Sequence, residues 1–239
     1  MNLQRPTALP VYISEGDLAD RMRLAMRRVY LWMTVGLLIT AGVAYFVVST
    51  PLLYLAASPL VFFGCAIAEI VLVIVLSARL ARMAPATAVG VFFVYAALNG
   101  VTMSLVFVIY TASSIAMTFV ATACLFGAMT LVGYTTHIDL TRLGGFLLMG
   151  LLGLIVGSVI NMFFASATLY WFLTFAGIAI FIGLAAYNTQ RIKRLTLAAI
   201  QQGDELAEQR IGAIGALSLY LDFVNLFLLL LRIAGGRRR

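Results

Sequence analysis

Apolar residues in this chain do not alternate with polar ones; they run in seven unbroken blocks parted by short polar connections. Each block reaches the roughly 20 residues that, at 1.5 Å per residue, cross a hydrocarbon core of about 30 Å. The predicted spans are Val29–Thr50, Pro59–Leu80, Ala86–Tyr110, Ile115–Tyr134, Leu143–Ala165, Leu169–Tyr187 and Ile211–Ile233. Pro51 ends the first, and Ser58-Pro59 has the form of an N-cap followed by a first-turn proline. Gly153 and Gly157 in the fifth have the small-xxx-small spacing that lets helices approach closely. A polar segment, Asn188 to Arg210, feeds the seventh.

Residues 1–28 read as a cytosolic tail, extended around Pro6 and Pro10, then a short surface helix from Asp17 to Arg28. Met22, Ala25, Met26 and Val29 share a face of that helix, with Arg21, Arg23, Arg27 and Arg28 set for headgroups. Residues 29–233 make the transmembrane domain and 234–239 a basic tail.

Composition agrees. The chain has 239 residues, 63% hydrophobic and 10% charged, with mean hydropathy +1.06. A soluble domain is roughly 45–50% apolar and about 25% charged, so this is an integral membrane protein. Long unbroken runs argue against a β-barrel, and the short connections leave no room for a soluble domain. The fold class is all-α, a polytopic bundle of seven transmembrane helices. Cys65 and Cys124 fall inside apolar runs and read as small buried hydrophobes. No signal peptide is expected, because the first apolar run is already of membrane length.

Net charge is +7, and every basic residue except Lys193 is arginine. These residues gather at helix ends, so they report topology and anionic headgroups rather than nucleic-acid binding. The tail has five Arg, the second-to-third loop two, the fourth-to-fifth loop one and the sixth-to-seventh segment four Arg/Lys. The loops STPLLYLAAS, TASS and ASAT have none, which places the N-terminus in the cytosol. Seven full spans put Arg237, Arg238 and Arg239 outside, against that rule; a re-entrant last segment would keep both termini cytosolic. The full length of the final run favours seven.

That final run carries the chemistry. Ser218, Asp222, Asn225, Leu229 and Arg232 line one face of a helix. An acid deep in a membrane costs on the order of 3 kcal/mol and normally faces the bundle interior as a functional group. The other intramembrane acid is Glu69, on the second span. Arg79 follows Glu69 by ten residues and Arg232 follows Asp222 by ten. On antiparallel helices this predicts a crossed double ion pair, Arg79 with Asp222 and Glu69 with Arg232 about 15 Å further out. Rotation over ten residues leaves the two contacts about 80° apart, which long arginines would have to bridge.

Asn99 and Asn161 read as interhelical hydrogen-bond donors, His137 and Asp139 as a solvated loop pair, and Asn188 and Gln190 as a helix end. HExxH, GxSxG and Cys/His metal spacings are missing, so no enzyme is expected. An intramembrane aspartyl protease would need two carboxylates close together, and these two lie on separate helices.

The run ALSLYLDFVNLFLLLLRI, the YNTQRI after the sixth span and the block GYTTHIDLTRLGG resemble the bacterial branch of the Bax inhibitor-1 (transmembrane Bax-inhibitor-motif) family. The resemblance covers about residues 20–235. It implies a last helix wrapped by the other six, and a pH-sensitive calcium leak with paired aspartates on the sixth and seventh helices. One of those aspartates matches Asp222; a latching arginine of the second helix matches Arg79, with Arg82 the poorer match; an ion-path glutamate matches Glu69. The other aspartate belongs to a YDTQ motif, where this chain has Asn188. Asparagine does not titrate, but it can donate to ionised Asp222, which predicts a shallower or acid-shifted pH response.

Two functions follow as expectations. One is a calcium-permeable leak in a bacterial inner membrane, with Asp222 and Glu69 as weak oxygen ligands and Asn188, Asn225, Arg79 and Arg232 along the path or gate. The other is a non-transporting membrane regulator, partnered by a membrane-bound quality-control protease or a cell-death pathway. No tightly held cofactor is expected beyond weak Ca²⁺, the bilayer is the constant partner, and the sequence does not set the oligomeric state.

Overall fold

In the computed structural model the described residues are 14–79 and 83–236, the Ser77 side chain excepted. Pro6, Pro10, Arg82 and Arg237–Arg239 lie outside them. The described residues form α1 (Glu15–Val48), α2 (Leu52–Ala56), α3 (Pro59–Arg79), α4 (Pro85–Ile109), α5 (Ala112–Thr135), α6 (Thr141–Phe164), α7 (Ala167–Gln202) and α8 (Glu205–Ala234). All but the one-turn α2 are long and apolar enough to cross a membrane, seven in total among the described residues.

Local chemistry sets the helix starts. Ser14, Thr111, Ser166 and Asp204 each accept a hydrogen bond from a first-turn N–H, capping α1, α5, α7 and α8. Gly203, at φ +69°, closes α7 in the left-handed conformation that glycine adopts without strain, and turns the chain straight into α8. α3 begins at Pro59 as expected, and the Ser58 carbonyl accepts from Phe62 N. The Ser58 hydroxyl turns back to donate to the Leu55 carbonyl at 2.7 Å instead of capping forward.

The tail helix departs from its expected form. It is the first half of α1, continuous with the first span, and Met22, Ala25, Met26 and Val29 are buried in protein rather than turned to headgroups. The reason lies in the segment read as polar. Residues 188–210 are mostly helical, because α7 runs on to Gln202 and α8 starts at Glu205. These extensions give α1 a surface to bury against, and Arg21 reaches Glu208 at 3.3 Å and Glu205 at 3.9 Å.

The helix ends sort into two groups. At one end Arg210 of α8 donates to the Met83 carbonyl of the α3–α4 loop and Lys193 of α7 to the Tyr134 carbonyl in the last turn of α5. At the other, Thr111 N donates to the Gly236 carbonyl at 3.1 Å and Gly236 N to Ser114 Oγ at 2.9 Å. α8 therefore runs the length of the bundle, from the N-terminal end to the α4–α5 loop, and is not a re-entrant loop.

The last helix is the core, as expected. In its most apolar stretch 56% is buried, against 6–39% in the other spans. Gly212, Ala213, Gly215 and Ala216 admit close neighbours along its first half, and Tyr220, Phe223 and Leu226 fill the centre. Phe223 meets Phe126 and Phe119 of α5 edge to face, and Tyr220 meets Phe92 and Tyr95 of α4 in the same way. Gly157 faces Leu173 of α7, while nothing approaches Gly153, so only one glycine of the predicted pair serves packing. The tightest approach is at Gly133 of α5, where a Cβ would overlap the Ala186 carbonyl of α7. α3 packs on α4 and α2, and α6 packs on α7, leaving these two as the least buried spans.

Candidate functional site

Asp222 is buried, 4% exposed, and its Oδ2 accepts from Asn188 Nδ2 of α7 at 2.7 Å. Asn188 reaches it because α7 stays helical past the expected end of its span, carrying YNTQ alongside α8. Glu69 of α3 is half-buried and accepts from Asn99 Nδ2 at 3.1 Å and Thr102 Oγ1 at 2.9 Å, both on α4. Each acid has thus recruited neutral donors, which meet a carboxylate's need for hydrogen bonds without adding a second buried charge.

The crossed ion pairs are absent among the described residues. Arg79 is exposed at the end of α3 and forms no ion pair with Asp222, because α3 leans on α4 and not on α8. Arg232 is also exposed and stacks over the Tyr170 ring, 5.3 Å from its centroid, rather than meeting Glu69. The 80° rotational mismatch foreshadowed this outcome. Asn225 donates to the Leu221 carbonyl one turn back, at 2.8 Å.

The space between α3 and α8 is a cavity of about 750 Å³ bordered by Glu69, Asn188, Arg191, Ser218, Asp222 and Asn225. A second, of about 530 Å³, is bordered by Glu69, Asn99, Thr102, Asn225 and Arg232. The two share Ala66, Glu69, Tyr95, Leu221 and Asn225, so they adjoin along α8. From Ser218 to Arg232 they follow about 21 Å of α8 at 1.5 Å per residue. Among the described residues no group of three or more His, Cys, Asp or Glu side chains could hold a metal ion. Two separated carboxylates with amide and hydroxyl neighbours suit at most weak, passing coordination of a hard cation.

Other polar positions are local. Asn161 accepts from Ser166 N at 2.9 Å in the α6–α7 turn, instead of bridging helices. Gln190 does not cap α7; it binds the α5–α6 loop through Leu140 N at 2.9 Å and the Ile138 carbonyl at 2.8 Å. His137 is exposed in that loop. Asp139 accepts from the Thr141 hydroxyl at 2.6 Å, from Thr141 N at 2.9 Å and from Arg194 at 2.6 Å. Those bonds, the Thr141 hydroxyl foremost, pull its carboxyl down to about 2. Sequence reading missed Tyr220, Thr40 and Thr102 as site residues. The three-residue step from Asn99 to Thr102 was a usable signal for the last, since it sets both on one helix face.

A bundle wrapped on its own last helix, with carboxylate-bordered cavities along it, defines a polytopic integral membrane protein. The chain belongs to the Bax inhibitor-1 family: residues 22–239 match the family described as Inhibitor of apoptosis-promoting Bax1. Its relatives include the inner membrane protein YbhL of Escherichia coli, 46% identical over 89% of this chain and 92% of YbhL. A Rickettsia prowazekii protein is 40% identical over 92% of each chain. An uncharacterized membrane protein of Streptococcus pyogenes is 39% identical over 76% of this chain and 77% of its own.

Proposed function

We propose that this protein is a pH-modulated, calcium-permeable leak in a bacterial inner membrane, with its N-terminus in the cytosol. The observation that carries the reading is the pair of adjoining cavities along α8, with Glu69 bordering both and Asp222 in the wall of the larger. Carboxylate, amide and hydroxyl oxygens suit a hard divalent cation. Protons compete for the same two carboxylates, so flux depends on pH. Arg191 and Arg232 border the two cavities at their far ends and repel cations there, consistent with a slow leak rather than a high-throughput pore. The location follows YbhL, and the orientation follows the arginine-rich loops at the N-terminal end.

Calcium entry into dye-loaded liposomes, titrated from about pH 5 to about pH 8, tests the reading. The native protein should pass calcium, and Asp222→Asn and Glu69→Gln should each cut the rate about tenfold, the effect of roughly 1.4 kcal/mol on a barrier. Liposomes with native protein no leakier than empty ones would overturn it and leave the polar seam to a membrane regulator.

A further inference from the structure

The Glu69 carboxylate is the cavity-facing end of a hydrogen-bond chain that continues into buried protein. Its Oε2 accepts from Asn99 Nδ2 at 3.1 Å, Asn99 Oδ1 accepts from the Tyr220 hydroxyl at 2.9 Å, and Tyr220 Oη lies 2.6 Å from Thr40 Oγ1. Thr40 Oγ1 also lies 2.8 Å from the Ala96 carbonyl and 3.0 Å from that of Gly36. The links pass from α3 to α4 to α8 to α1, so every one crosses a helix interface. Past Glu69 all members are buried: Asn99 is 5% exposed, Tyr220 0% and Thr40 7%.

Counting hydrogens gives this chain a direction. An ionised carboxylate only accepts, so Asn99 must present its NH₂ to Glu69. Its carbonyl then takes the Tyr220 hydrogen, and Tyr220 takes that of Thr40. Protonated Glu69 has a hydrogen to give, and the opposite sense is then satisfied throughout. Glu69 donates to Asn99 Oδ1, Asn99 to Tyr220, Tyr220 to Thr40, and Thr40 to a waiting backbone carbonyl. No proton travels the chain. One arrives on Glu69 from the cavity, the amide turns over, and two hydroxyl hydrogens swing. An Asn99 amide and a Tyr220 hydroxyl set in opposite senses would leave Asn99 Oδ1 or Nδ2 facing a like atom, which couples those two. Thr40 can donate either to Tyr220 or to the Ala96 and Gly36 carbonyls.

We infer that Tyr220 and Thr40 are positioning residues for Glu69. They hold the Asn99 amide with its hydrogens toward the ionised carboxylate, and the whole chain reverses when Glu69 is protonated, carrying the state of the cavity to the contact between α1, α4 and α8. Besides Tyr220, the titratable or charged groups around Glu69 are Cys65 on its own helix, Tyr95 of α4 and Tyr110 at its end, Tyr187 and Arg191 of α7, and Asp222 and Arg232 of α8. None of these hydrogen-bonds to it, and α6 brings only Gly144 and apolar side chains to the cavities Glu69 borders. The inference takes over from the proposed function that Glu69 meets protons and cations in the cavity.

The test is the melting temperature of the purified protein from about pH 4 to about pH 9, for the native chain, Tyr220→Phe, Glu69→Gln and the double variant. With Glu69 present, Tyr220→Phe should displace the midpoint of the melting-versus-pH curve by about one pH unit, a tenfold change in proton affinity passed on through the Asn99 amide. In the Glu69→Gln background it should move the melting temperature by the same amount at every pH. Thr40→Ser should keep the native curve and Thr40→Val should copy Tyr220→Phe; that pair decides if Tyr220→Phe does not fold. Effects that simply add at every pH would overturn the inference. Calcium flux on the same samples separates the two readings. Coupling without native flux rejects the leak alone, and flux with additive curves rejects the hydrogen-bond chain alone.

Discussion

Asn188 shows how one atom type decides a site. Its amide donates to Asp222 at 2.7 Å, filling the place a second carboxylate would hold. Two carboxylates at that separation cannot both ionise cheaply and share a proton, whereas an amide only lends a hydrogen. Asn188→Asp should therefore make the pH dependence of calcium flux steeper or split it into two steps; a profile identical to the native one would remove Asn188 from the account. Asp139 makes the opposite case at the surface. Its folded carboxyl is held at about 2, below the usual value near 3.9, so the stabilisation it brings is present above about pH 4 and is lost as pH falls toward 2. Hydrogen exchange on the α5–α6 loop should speed up in Asp139→Asn at neutral pH, with the difference from native vanishing at acid pH.

At the scale of elements, the boundary with strong punctuation could be read in advance. Ser14, Ser166, Gly203 and Asp204 also mark observed ends, which sequence reading passes over, whereas Pro59 starts α3 as expected and was legible. The helical identity of 188–210 was not, since its charged residues mask a face that buries Ile192, Thr196, Ala199 and Ile200 under α1 and α8. The same blindness turned Met22, Ala25 and Met26 toward lipid in the sequence reading, because an apolar stripe does not say whether protein or headgroups cover it. Glycine spacing misled as well, naming Gly153 and passing over Gly133. Gly133→Ala should cost roughly 1–3 kcal/mol through overpacking against the Ala186 backbone. Gly153→Ala, with open space around it, should be neutral or slightly stabilising on helix propensity. Unfolding in detergent would compare the two, and equal losses would contradict the packing described.

For the whole molecule, span number, the central last helix and the inward-facing acids could all be read from hydropathy, one amphipathic face and a resemblance. The pairing between helices could not. Helical spacing places residues by depth and angle along one element, but not by which neighbour an element leans on. α3 leans on α4, so Arg79, the charge expected to close on Asp222, stands outside and a cavity takes its place. Because α8 runs the bundle's full length, tags on the two termini should be reached by protease from opposite sides of the membrane, and access from one side would contradict the seven-span path.

The claim most exposed to disproof is that the two cavities are one route. Asn225 borders both and makes only a local backbone hydrogen bond, so a probe there interrupts nothing structural. With Cys65 and Cys124 replaced by alanine, Asn225→Cys should conduct calcium in liposomes, and a charged thiol reagent should then abolish that conduction. Full modification of the cysteine with calcium flux unchanged would show that ions do not pass where the two cavities adjoin.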